Sequence, residues 1–177
     1  EHALLAGDGG RAASLLAANW LAWIGERRHA TLRRFLDRLP AERGEFGPLC
    51  EALDVLCMVY EGVDQRLAAE RAEALAAAHA DDPGVRLVLD GVLVSPFYGD
   101  VGRSVELGRE AWERYAGVPE AQDEIGMLLA LVQWFAGDHL AVRRLLEPRL
   151  LLDQHTVGTV WTRAILSLTE SDEGDPE

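Results

Sequence analysis

Apolar residues fall along this chain in two alternating kinds of run. In one kind they take nearly every position. In the other they recur every three or four residues with polar residues between, the mark of a one-sided helix. Residues 11–24 place Leu15, Leu16, Trp20, Trp23 and Ile24 at helical spacing. Residues 27–39 are polar on one side and stop at Pro40. Residues 48–60 are apolar apart from Glu51 and Asp54, and 84–95 are broken only by Arg86 and Asp90. Between them, residues 64–80 put Glu70, Arg71 and Glu73 on an outer side. Asp81 and Asp82 before Pro83 close that helix and cap the next. Residues 101–115, 119–135, 138–146 and 156–169 continue the alternation, with Pro96 and Pro148 reading as breaks.

The joints between the runs are as regular as the runs. Glycines stand at 25, 62, 99, 137 and 174, in steps of 37, 37, 38 and 37, each close to an acidic residue. The stretch Phe97-Tyr98-Gly99-Asp100 is the clearest example. Gly ends a helix without Cβ strain, and an acid just after it caps the next one. The chain therefore reads as all-α: a tetratricopeptide-like helical-repeat superhelix, an α-solenoid of stacked antiparallel helix pairs. Helices apolar all round pack between neighbours and line the concave side; one-sided helices cover the convex face. Five residues past the first four of these glycines stand Ala30, Leu67, Ser104 and Val142, at a position expected to face the partner helix. Residues 1–177 form one repeat domain, with residues 1–40 as opening helices and repeats of about 37 residues over 41–177. A start in mid-phrase and a finish on Gly174-Asp175-Pro176-Glu177 read as a piece of a longer protein.

Composition narrows the function. Apolar residues make up 49 %, enough for a continuous core. All 17 basic residues are Arg, and the formal net charge is −13, which opposes phosphate-backbone binding. No leader peptide or membrane-length apolar run is visible, so the expected location is cytoplasmic. Cys50 and Cys57 lie about 10.5 Å apart on one helix, too far for a disulfide. Arg27, Arg28, Arg33, Arg34 and Arg38 make one basic patch, either a solvated face or a dock for an acidic neighbouring domain.

The opening stretch resembles a known family. His2-Ala3-Leu4-Leu5-Ala6-Gly7-Asp8, then Ala12-Ala13, Leu15-Leu16 and Gly25-Glu26, lead to Thr31-Leu32 and on to Phe35-Leu36 and Leu39-Pro40. This phrase is similar to the start of the superhelical sensor domain in MalT-like, ATP-binding LuxR-family transcriptional regulators, with Phe35 where the family has Trp. The likeness covers about the first 60 residues. It implies a non-catalytic sensor and oligomerisation segment, with ATP bound in a preceding domain and DNA in a following one. It also implies a small-molecule inducer or regulatory protein on the concave face, self-association, and no nucleic-acid or membrane contact by this segment. The alternative is a plain tetratricopeptide-like scaffold for a protein partner.

No phosphate loop occurs, no Lys is present, and the five histidines show no i, i+4 pair for a metal. No catalytic, cofactor-binding or metal-binding residue is therefore assigned. The residues singled out are polar ones on apolar helices. Asp54 and Asp90 stand 36 apart, and a buried carboxylate needs a partner. Arg86 is one turn before Asp90 and pairs with it in the simplest account. In the other account Arg86, Asp90 and Glu124 line a ligand groove with Trp134 and Trp161.

Overall fold

The computed structural model describes residues 7–26, 28–40, 43–95, 100–150 and 157–173. Residues 1–6, Arg27, 96–99 and 174–177, on which parts of the sequence reading rest, lie outside the described residues. Among the described residues the chain is helical without strands. The α-helices are α1 (Gly9–Gly25), α2 (His29–Leu36), α3 (Gly47–Tyr60), α4 (Gln65–Ala78), α5 (Pro83–Leu93), α6 (Val101–Arg114), α7 (Pro119–Phe135), α8 (His139–Leu150) and α9 (Val157–Glu173), with a 3₁₀ turn at Gly44–Phe46. They gather into two compact units, Glu1–Val92 and Leu93–Glu177.

The hairpin joints follow the Gly-acid pattern at Gly62 and Gly137 and depart from it at Gly25, while Gly99 and Gly174 lie outside the described residues. Gly62 and Gly137 have φ of 66° and 75°, the left-handed conformation that turns the chain out of α3 and α7. The side chains of Asp64, Asp100 and Asp138 each accept a backbone N–H three residues on, at 3.0, 2.9 and 3.1 Å. Asp8 does the same for α1, and Asp82 accepts from Gly84 and Val85 at the start of α5. Gly25, by contrast, is the last residue of α1, and α2 starts from Arg28 with no side-chain cap bond.

The capping position, not the glycine, sets which side of the following helix is buried. Four and eight residues beyond the caps at 28, 64, 100 and 138 stand Leu32 and Leu36, Ala68 and Ala72, Ser104 and Gly108, Val142 and Leu146, all buried. Counting from glycine misplaces the first two hairpins: Ala30 and Leu67 are exposed. Val63 is the reason in the second, an extra residue between Gly62 and its capping acid.

In the first unit Leu16, Leu32, Leu53, Val85 and Leu89 are fully buried, and α3 buries Leu49, Cys50, Leu53, Leu56 and Cys57 along its length. In the second, Ala130, Val142, Leu146, Ile165 and Leu166 form one cluster where α7, α8 and α9 meet. Small residues bring α6 and α7 together. A Cβ on Gly108 would sit 2.8 Å from Leu129 Cδ1, and one on Gly126 would enter the ring of Trp112.

Three helix ends differ from the pattern's expectation by three residues or more, α9 among them, which runs to Glu173 rather than 169. The second helix stops at Leu36 rather than 39. Residues before a proline are pushed out of the helical region, and the chain tightens into 3₁₀-type bonds from Arg38 and Leu39 to Phe35 and Leu36. Pro148 does not break α8, which runs on to Leu150. It costs one late hydrogen bond, and the last turn is held by Arg149, whose guanidinium meets the Asp123 carboxylate at 2.8 Å and its backbone oxygen at 2.9 Å.

Candidate functional site: an arginine-rimmed aromatic groove

Helices α1 and α2 leave an open groove of about 570 Å³ between them. Trp23, near the end of α1, and Phe35, near the end of α2, meet in it edge to face with centroids 5.6 Å apart. Both rings are half-buried, so one side of this aromatic pair stays uncovered. The placement follows from helical spacing. Leu32 and Leu36 turn into the core, which sends Phe35 to the flank shared with Trp23.

Three arginines line the same groove: Arg28, Arg34 and Arg38. Arg34 is steadied along its own helix by the backbone oxygen of Ala30 at 3.2 Å and by Thr31 Oγ1 at 3.4 Å. Arg28 reaches Glu26 at 3.3 Å, an exposed pair worth little in water. Asp37 is the acidic member of the lining. Chemically the groove offers a flat apolar surface and planar cationic donors, a combination that suits carboxylates carried next to an apolar group.

The basic patch read from the sequence is thus divided. Arg33 turns towards α3, passing 3.9 Å from Asp37 Oδ1 on its own helix flank. It bonds Asp54 through Oδ1 and the backbone oxygen, and Glu61 Oε1 at 2.9 Å. Burial alone would lower its pKa; the bonds to Glu61 and Asp54 outweigh that and raise it. Arg71 Nη1 completes the set on Asp54 Oδ2 at 3.1 Å. Asp54 therefore has partners, as a carboxylate on a buried helix requires, and they tie α2, α3 and α4 together.

The five residues assigned to a ligand groove are placed as follows. Arg86 Nε meets Asp90 Oδ1 at 2.9 Å, the internal i, i+4 pair, and the Asp90 side chain is 5 % exposed. Both stand on α5 in the first unit. Glu124 and Trp134 stand on α7 and Trp161 on α9, in the second. Trp134 packs on the α7–α9 cluster and donates its indole N–H to Asp172 Oδ2 at 2.9 Å. Trp161 is 44 % exposed. Sequence reading missed the aromatic groove. Its signal was present in Trp23 and the arginine patch, but nothing linear joins Trp23 to Phe35.

Among the described residues no group of three or more His, Cys, Asp or Glu is placed to hold a metal ion, and no helix is long and apolar enough to cross a membrane. Compared with protein-family models, curated proteins and solved structures, the chain finds no match.

Proposed function

We propose that this chain is a non-catalytic, partner-binding segment of helical repeats, serving as the sensor and self-association segment of an ATP-dependent, LuxR-type bacterial regulator. The observation that carries the binding role is the repeat itself. The helices that start just after positions 28, 64, 100 and 138 each bury the residues four and eight places beyond that position. A solenoid built from such hairpins would present an extended binding surface, which supports this reading. The regulator assignment rests on the opening phrase and its likeness to MalT-like sensor domains. In that setting the tetratricopeptide-like superhelix receives an inducer or regulatory protein, and ATP and DNA are handled by other domains.

The test is to read the parent gene on both sides of this segment and assay its product. A phosphate-loop ATPase upstream, a helix-turn-helix downstream and ATP-dependent self-association that an effector shifts would support the regulator. Repeats flanked by neither module would leave a scaffold for a protein partner in its place.

A further inference from the structure

We infer that the groove between α1 and α2 is a docking site for an acidic peptide segment of a partner protein, one whose carboxylates flank an apolar side chain. This does not depend on the regulator reading, because it is tested on this chain alone.

The inference starts from charge. The chain carries a formal net charge of −13, yet Arg28, Arg34 and Arg38 converge on one groove. A helix C-terminus favours cations, which accounts for Arg33 and Arg34 in the last turn of α2. It does not account for Arg28 at the opposite end of α2, which lines the same groove and faces the same aromatic pair. Arg33 of the same stretch turns inward to Asp54 and Glu61, whereas Arg28, Arg34 and Arg38 line the groove. Arg34 is instead an exposed cation on the side of α2 that carries Phe35.

The apolar half of the match comes from Trp23 and Phe35. Their half-buried edge-to-face pair gives a partner's Leu or aromatic side chain a surface to cover, and aromatic and arginine side chains are those that anchor protein interfaces. A peptide also fits better than a nucleic acid. Asp37 lies in the lining and Glu26 stands against Arg28, so carboxylates spaced to reach the arginines between these acids are repelled less than an unbroken run of phosphates. The long-range field of an acidic chain repels both, so binding is local and short-ranged.

The experiment uses a short fluorescein-labelled peptide with a Leu-Trp pair flanked on both sides by Glu, and its counterpart with Gln for every Glu. Anisotropy is followed at low and at physiological salt. The acidic peptide is expected to bind about tenfold more tightly than the Gln peptide at low salt and to lose that advantage as salt rises. Arg34→Glu and Arg38→Glu should each remove the preference. So should Arg28→Asp, which places a capping acid at the start of α2 and so serves as the variant that stays folded. Circular dichroism and thermal melting check each variant. Equal binding of the two peptides, or a preference that survives Arg28→Asp and Arg34→Glu in folded protein, overturns the inference. So does tighter binding of a single-stranded oligonucleotide than of the acidic peptide. Sedimentation supplies the last arm: self-association that Arg34→Glu abolishes, without peptide binding, would assign the groove to a second copy instead.

Discussion

Arg71 on α4 donates to one oxygen of Asp54 on α3 at 3.1 Å, while Arg33 from α2 holds the other. One carboxylate, 31 % exposed, thus links three consecutive helices of the first unit. Removing it leaves two guanidinium groups facing each other in a partly buried space. Asp54→Ala is expected to cost roughly 1–3 kcal/mol, the range for leaving buried donors without their acceptor. Urea unfolding measures it. A double-mutant cycle with Arg71→Ala should show coupling between the two residues. Additive losses would mean that the pair is held by packing and that the ion pair contributes nothing of its own.

The α6–α7 contact makes a sharper prediction, because it turns on one missing carbon. A Cβ on Gly126 would enter the Trp112 ring, and one on Gly108 would crowd Leu129 and Val94. Gly102, in the first turn of α6, meets only the Asp100 carboxylate at 3.5 Å. Overpacking typically costs 1–3 kcal/mol, so Gly126→Ala and Gly108→Ala should each destabilise the protein by about that much. Gly102→Ala should be neutral or stabilising by up to about 1 kcal/mol, through helix propensity. A stabilising Gly126→Ala would show that Trp112 does not lie against α7.

These two cases show what was legible beforehand. Helix existence and order were, because a long run of apolar residues at helical spacing has no competing reading once β-branched residues are few. That Asp54 needed a partner followed from its place on a buried helix. Which arginine supplied it did not, because Arg33 and Arg34 are neighbours in sequence and only the rotation of α2 sends one inward and the other out. Arg86 and Asp90 were legible as a pair because an i, i+4 contact is local. The Trp23–Phe35 groove was not, since it depends on how two helices cross. The glycine period hid the true register at Val63: a turn absorbs an inserted residue, whereas a capped helix start does not.

The register itself is testable at its exception. Asp138 caps α8 through the N–H of Ala141 at 3.1 Å, and Asp138→Ala should cost about 1 kcal/mol. Arg28 occupies the matching place before α2 without a side-chain cap bond. Arg28→Asp should therefore stabilise the chain by roughly 0.5–1 kcal/mol, through a cap and through the helix dipole. Thermal melts of the two variants should move in opposite directions. A fall in both would mean that α2 is held by Leu32 and Leu36 in a geometry a capping side chain cannot reach.

The two thiols carry the last prediction. Burial pushes the Cys57 thiol up to about 12, helped by Glu61, Asp54 and Asp37 and opposed by Arg33. Burial likewise raises Cys50, with Arg43 opposing and Glu51 assisting. The folded protein therefore holds these protons where the unfolded chain, with thiols near 9.0, releases them. The contribution of Cys57 to stability is fully present below pH 9 and is lost as pH rises from there towards 12, and that of Cys50 likewise falls as pH rises above 9. Cys57→Ala should lose a constant amount through its small cavity but fall less steeply over that window. Near neutral pH the thiolate is the reactive form, so both cysteines should react with a disulfide reagent only as fast as the first unit opens. Rapid labelling of either thiol while the circular dichroism stays native would show that α3 is not packed on all sides.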